Sequence, residues 1–367
     1  MNKMKSFIIC ILVLAAFFSS ANAQAARSSE SFIQNEEQLD SFLKEQSNNG
    51  FSGSVLIARK NKIVLHKTYG NAAKFGDDPF FWIASNSKSF VAAAILKLQE
   101  QGRLSVSDTL TKFFKDVPDD KRQITIHHLL AHTSGLPHRY ASDGIIEREK
   151  AVQAVLTLPL EWKVGEGYHY SNDGYSLLAT IVEIASKRTF EDYLRKDILK
   201  PAELNTTGFW GHEDKTQIVP VVNVINTQKV RPTIYKNGKS VANWGYRGAT
   251  GIYATASDLY RWMIALQQNK VLSAKSREQM WGKQTLQSRI SPTEEQFYGY
   301  GWGVRFQDGQ KIYVRHTGYE DWLGHSSVMC LYENGDAYVV LSNAVQGEAA
   351  WSSIIARELQ KRLQTSN

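Results

Sequence analysis

Cysteine is scarce in this chain, with two in 367 residues. Cys10 falls in a leader segment, so the remainder keeps only Cys330 and has no internal disulfide to staple it. Cys330 sits in an apolar, strand-like run and reads as a buried, inert thiol. Past the first residues, no apolar stretch approaches the roughly 20 residues that a membrane-crossing helix needs, so no membrane span is expected. Internal repeats and low-complexity linkers are also missing. The basic residues are scattered rather than clustered, and a nucleic-acid partner is not expected. There is no G-x-S-x-G elbow, which argues against an α/β-hydrolase, and no glycine-rich phosphate loop. His128 and His132 have an i, i+4 spacing, but Leu129 stands where a zinc-binding H-E-x-x-H helix needs glutamate. A structural helix end is the expectation there, with no metal and no cofactor.

What is present begins with a basic start, Lys3 and Lys5. An apolar run of 12 residues, Phe7 to Phe18, and the cleavage pattern Ala21-Asn22-Ala23 follow. This is the pattern of a secretory signal peptide over residues 1–23, so a periplasmic or secreted protein is expected. Without Lys3 and Lys5 the formal charge of +7 becomes +5. Apolar residues make up 43% and charged residues 22% of the chain, ordinary for a globular protein.

Leu39, Phe42 and Leu43 repeat at helical spacing before Asn48-Asn49-Gly50. Phe51 to Arg59 and Lys62 to Thr68 read as two strands with a turn at Asn61. Ser85 to Gln101 reads as a helix with an apolar middle, stopped by Gly102. Ser176 to Lys187 is the clearest helix of the central stretch. Strand patterns return at Tyr300–Phe306, Lys311–Arg315, Ser326–Leu331 and Ala337–Leu341. A last helix carries the stripe Trp351, Ile354, Ile355 and Leu359. Strands at both ends with helices between predict an α+β fold. Its antiparallel sheet is built from both chain ends, flanked by helices, with a mainly helical lobe inserted. Residues 24–367 are expected to form one catalytic domain. Residues 24–75 and about 262–367 would make its α/β lobe, and about 76–261 its helical lobe.

Ser85-Asn86-Ser87-Lys88 is an S-x-x-K at a helix start. Residues three apart share a helix face, so the amine can reach the serine oxygen. A helix start also offers free N–H groups to a developing oxyanion. A desolvated lysine can lose its proton near neutral pH and act as a base.

The segments around this pattern add weight. Phe81-Trp82-Ile83-Ala84-Ser85-Asn86-Ser87-Lys88-Ser89-Phe90 resembles the class C β-lactamase and penicillin-recognising serine hydrolase family, which has a β-lactamase/transpeptidase-like fold. So do His128-Leu129-Leu130-Ala131-His132-Thr133-Ser134-Gly135-Leu136-Pro137 and Tyr170-Ser171-Asn172-Asp173-Gly174-Tyr175. Gly248 to Leu259 resembles the family's glycine turn and helix start. His316-Thr317-Gly318 lies where the family has K-T-G or H-T-G. The matches run in family order over about residues 50 to 345.

The resemblance implies roles. Ser85 is the expected nucleophile of an acyl-enzyme, and Lys88, alone or with Tyr170, accepts its proton. Tyr170 shuttles the proton, as a tyrosinate if two nearby cations lower its pKa far below about 10. Asn172 orients Lys88 and binds substrate. Thr317 and Gly318 line the cleft with His316, and the backbone N–H groups of Ser85 and Tyr319 form the oxyanion hole. Trp82, Trp302 and Trp322 lie beside the motifs and could make an aromatic acyl pocket.

Two departures bear on the substrate. The family's β-lactamases have lysine at the position of His316, and a mostly neutral imidazole is a weaker anion hook. Any help from imidazolium would fade as pH rises through about 6.5. Glu320 and Asp321 follow Tyr319 in place of a small turn and would oppose an anionic substrate. The expected function is an exported serine hydrolase acting on a D-peptide-like amide or related small substrate, including a cell-wall fragment. The alternatives are a carboxylesterase of the same family and a non-catalytic ligand-binding relative. A monomer is expected.

Overall fold

A computed structural model describes residues 36–211, 218–220, 235–236, 239–240, 242–320, 324–345 and 350–364. The leader expected over residues 1–23, and Asp321 and Trp322, lie outside the described residues.

Helix α1 (Glu36–Asn48) is followed by the hairpin β1 (Gly53–Arg59) and β2 (Lys62–Tyr69). Strand β3 (Phe81–Trp82) leads through a 3₁₀ turn, Ala84–Asn86, into α2 (Ser87–Glu100). The central stretch carries α3 (Ile126–Leu130), α4 (Arg148–Leu156), α5 (Asn172–Ser186) and α6 (Phe190–Tyr193). Four short strands follow: β4 (Gly208–Phe209), β5 (Tyr235–Lys236), β6 (Lys239–Ser240) and β7 (Ile252–Ala254). Helices α7 (Ala256–Gln267) and α8 (Ala274–Met280) lead to β8 (Thr285–Arg289) and β9 (Glu294–Tyr298). The chain ends with β10 (Gly303–Gln307), β11 (Gln310–Glu320), β12 (His325–Tyr332), β13 (Ala337–Ser342) and α9 (Ser352–Gln364).

Eight strands form one antiparallel sheet in the order β2-β1-β13-β12-β11-β10-β9-β8. The two chain ends meet where β1 pairs with β13, with Gly53 opposite Ser342. Strand alternation gives the sheet two buried faces. Val55 and Ile57 point to one side, where they pack with Val328, Cys330 and Tyr338 under α1 and α9. Leu56 and Ala58 point to the other, where they join Met329, Leu331 and Val339 against the helical layer. Helix α2 is buried from Ser87 to Leu96 and at Leu98, leaving only Lys97, Gln99 and Glu100 partly or fully exposed. Its alanine-rich centre, Ala92-Ala93-Ala94, lets neighbours approach closely on every side. The α+β arrangement expected from the sequence is the one observed. Cys330 is fully buried and reduced, and burial pushes its thiol up to about 12.

Three local expectations differ. The hairpin β8–β9 lies in a stretch rich in Gln, Ser and Glu that carries no apolar alternation. Strand β10 begins at Gly303 rather than Tyr300, because Tyr300-Gly301-Trp302 make the connection and Gly301 takes φ +71°. Strand β11 runs on through His316-Thr317-Gly318 to Glu320.

Candidate active site

Ser85 sits in the 3₁₀ turn that opens into α2, next to Ala84, whose φ of +47° is unusual for a residue with a side chain. That turn is tied down on three sides. Ile83 N donates to Ile252 O at 3.1 Å. Ile252 N donates to Ser87 Oγ at 3.2 Å. Ser327 Oγ donates to Ile83 O at 2.6 Å and accepts from Asn86 Nδ2 at 2.6 Å. Strand β11 presses on the same turn at Gly318. A Cβ there would fall 2.2 Å from Ile83 O, so only glycine allows this approach.

Lys88 lies one helical step beyond Ser85 and is fully buried. Its Nζ is 3.1 Å from Ser85 Oγ, 2.7 Å from Asn172 Oδ1 and 2.9 Å from Ala249 O. Burial lowers its pKa to about 7, and Glu320 opposes that shift. At neutral pH the amine is therefore about half deprotonated. Two of its three free tetrahedral positions face carbonyl oxygens, which only accept. Both N–H groups of the neutral amine point there, and its lone pair faces Ser85 Oγ.

Tyr170 and Asn172 flank Ser171, which caps α5. Tyr170 shares the cavity wall with Ser85, and its ring lies 4.7 Å from Lys88 Nζ. Burial holds its phenol well above the ordinary value of 10, so the resting group is a neutral phenol. This corrects the expectation of a tyrosinate: the ring is desolvated, and Lys88 is only partly charged. His132 positions this segment. Its Nδ1 accepts from Ser171 N at 3.1 Å, and its ring packs 4.2 Å from that of Tyr170. His138 Nε2 accepts from Asn172 Nδ2 at 3.1 Å, which points Asn172 Oδ1 at Lys88.

His316 is buried, and desolvation drops its pKa to about 3, with Lys88 adding to the shift. Its Nδ1 donates to Thr317 O at 2.8 Å, so Nε2 accepts from Tyr298 Oη at 3.0 Å. The ring is therefore neutral across the physiological range, further than the mostly neutral imidazole expected from the sequence, and leaves no fading imidazolium contribution near pH 6.5. Strand β10 stops pairing with β11 at Arg315, opposite Gly303. Arg315 O faces Gly303, so Thr317 and Tyr319, of the same parity, turn backbone groups to the open edge beside the Ser85 turn. Glu320 is buried in the pocket wall and accepts from Tyr140 Oη at 2.5 Å.

These groups surround one cavity of about 580 Å³. Ser85, Tyr170, Asn172, His316, Thr317 and Tyr319 line it, with His138, Tyr140, Tyr168, Tyr298 and Glu320. Lys88 and Gly318 stand behind Ser85. Trp82 and Trp302 do not form an acyl pocket. Trp82 packs against Trp210 with ring centroids 4.0 Å apart, and Trp302 is fully enclosed in the core. His138 and the Ala249 carbonyl were not singled out by residue type, and His132 was read only as part of a structural helix end. For His132 and Ala249 the signals were the segments His128–Pro137 and Gly248–Leu259. His128 closes a capping box with Thr125.

The family model described as Beta-lactamase matches residues 36–360. Penicillin-binding protein 4* of Bacillus subtilis (strain 168) is 30% identical over 315 residues, covering 80% of this chain and 68% of that protein. Against Protein flp of Staphylococcus aureus the chain spans 58% of the relative's length. The octameric penicillin-binding protein homologue from Pyrococcus abyssi superposes with a TM-score of 0.72 at 25% identity, covering 90% of this chain and 78% of that one. The D-amino acid amidase from Ochrobactrum anthropi shares the fold, with a TM-score of 0.68 at 22% identity over 91% of this chain and 97% of its own. This chain belongs to the Beta-lactamase family and is a serine hydrolase of the β-lactamase-related kind.

Proposed function

We propose that the protein is an exported hydrolase that opens an amide or ester through an acyl-enzyme on Ser85, with D-peptide-like amides as its substrate class. The observation that carries this reading is the setting of Lys88. Asn172 Oδ1 and Ala249 O take its two N–H groups and leave the lone pair aimed at Ser85 Oγ 3.1 Å away. Ser85 Oγ attacks the substrate carbonyl and its proton passes to Lys88 Nζ. The oxyanion is held by the backbone N–H groups of Ser85 and Tyr319. Tyr170 gives its phenolic proton to the leaving group and is reprotonated from Lys88. Water then follows the reverse path and releases the acid. Tyr170 moves protons in both directions without resting as a tyrosinate, in keeping with its raised pKa.

The pocket wall supports a neutral substrate. His316 is uncharged. Arg315 also contributes to the cavity wall, but its guanidinium is engaged by Gln360 and lies by the Tyr313 ring. Glu320 adds an acid to the wall. A carboxylate-bearing β-lactam therefore meets little positive charge. This neutral wall also favours the second reading, a carboxylesterase. The penicillin-binding and D-amino acid amidase relatives support a D-configured acyl side. The domain reading is carried forward as well: cleavage after Ala23, one catalytic domain over 24–367, and a periplasmic or secreted site of action. A monomer remains the reading for this chain.

The test is kcat/KM of the purified mature protein on neutral p-nitrophenyl esters, D-aminoacyl amides and nitrocefin. Neutral substrates should be turned over faster than nitrocefin, and Ser85→Ala should turn over none. A preference for nitrocefin, or an active Ser85→Ala protein, overturns the reading.

A further inference from the structure

The cavity extends past the reacting groups along the outer end of the sheet, where the hairpin β8–β9 contributes Gln287 and Gln296 to its wall. Strand β8 is irregular at this point. Leu286 pairs with Phe297 and Ser288 with Gln296, which leaves Gln287 as an extra, unpaired residue. A bulge of this kind turns a side chain away from the regular alternation. Here it directs Gln287 into the cavity, whose wall it shares with Tyr168. Gln296 stands two residues before Tyr298 on β9, so the two share a face. Gly303 opens the space between them. A Cβ on it would fall 3.0 Å from Gln296 Nε2 and 3.8 Å from Gln287 Oε1, so both carboxamides converge over this glycine. Gln296 Nε2 donates to Phe297 O at 3.0 Å. Its Oε1 is buried and has no hydrogen bond among the described residues. Gln296 therefore presents Nε2 toward Gly303, with one N–H beyond the bond to Phe297 O.

We infer that Gln287 and Gln296 form a subsite for the peptide amide groups of the leaving group, on the far side of the scissile bond from the acyl chain. The inference rests on the acyl-enzyme reading above. In that reading Tyr170 protonates the leaving group, which places the departing nitrogen at the Tyr170 phenol. Tyr168, two residues earlier, leads from there to Gln287, and its ring packs 5.4 Å from Tyr298. Gln287 offers a donor and an acceptor and Gln296 a donor, and neither carries charge, which matches a peptide bond. A cavity of about 580 Å³ has room for such an extension.

The experiment compares two substrates with one acyl group. These are N-acetyl-D-alanyl-glycyl-glycinamide, which has a peptide leaving group, and the p-nitrophenyl ester of N-acetyl-D-alanine, which does not. The ratio of kcat/KM, peptide over ester, is measured in the wild type, Gln287→Leu, Gln296→Leu and Gly303→Ala. The last displaces the Gln296 carboxamide without changing its chemistry. Each substitution should lower the ratio about 3- to 10-fold, the worth of one or two neutral hydrogen bonds. An unchanged ratio, whether both activities fall together or neither does, overturns the subsite. A wild type that cleaves the ester and not the peptide also overturns it and leaves the serine hydrolase reading intact. A wild type acylated by neither substrate overturns both.

Discussion

Replacing Asn172 with aspartate exchanges one heavy atom and tests the proton path directly. Asn172 Oδ1 lies 2.7 Å from Lys88 Nζ, and burial has brought Lys88 to about 7. A carboxylate at that distance favours the ammonium form and raises the lysine pKa by about 1 to 3 units. Lys88 acts as a base only when neutral, so activity is present above its pKa and lost below it. At pH 7 the neutral fraction is about one half in the wild type. In Asn172→Asp it falls to between about one in ten and one in a thousand. The expected loss in kcat/KM at pH 7 is therefore about 5- to 500-fold, recovered as pH rises past the new pKa. His138 can meet the new carboxylate by switching tautomer, because its Nε2 now accepts from Asn172 Nδ2. The assay is the p-nitrophenol burst from a neutral ester between pH 6 and 10, corrected with Ser85→Ala. In the wild type the burst rate should rise about tenfold from pH 6 to pH 8. A loss in Asn172→Asp that is uniform across pH, with the midpoint unmoved, would refute the assignment of Lys88 as the base.

Three further outcomes are expected. Tyr170→Phe should lower the acylation burst by about 10² or more, the range of a general acid–base group, and an unchanged burst removes the phenol from the path. Because burial holds His316 near 3, KM for an anionic substrate should stay flat from pH 5.5 to 8. A KM that climbs through pH 6.5 would restore the imidazolium hook. Glu320→Gln keeps an acceptor for Tyr140 and removes a charge from the pocket wall. It should raise the nitrocefin-to-ester ratio of kcat/KM about threefold or more, as expected for a unit charge some 10 Å away in a partly screened cleft. An unchanged ratio shows that this acid does not act on anionic substrates.

The parts of the site that were legible in the sequence are those written as side chains at short spacing. Ser85 and Lys88 three apart, and Tyr170 and Asn172 two apart, were read together, and the structure gathers them around one cavity. The two-ended sheet was legible because β1, β2, β12 and β13 are rich in Val, Ile and Leu. The Ala249 carbonyl that fixes Lys88 is a backbone group with no side-chain signature. The hairpin β8–β9 has one polar face in the cavity, so its glutamines show no apolar period. Protonation was the least legible property. His316 and Tyr170 owe their states to burial, which depends on rings contributed by residues as distant as His132 and Tyr298. Trp82 and Trp302, adjacent to the motifs in sequence, turn into the core instead.

The central claim is that Ser85 is the nucleophile. The most direct measurement is intact mass and peptide mapping after treatment with a fluorophosphonate probe, on the wild type and on Ser85→Ala. The account predicts one adduct per chain, located on Ser85, forming faster as pH rises through 7, and none in Ser85→Ala. An adduct on another residue, or equal labelling of the alanine variant, would contradict it.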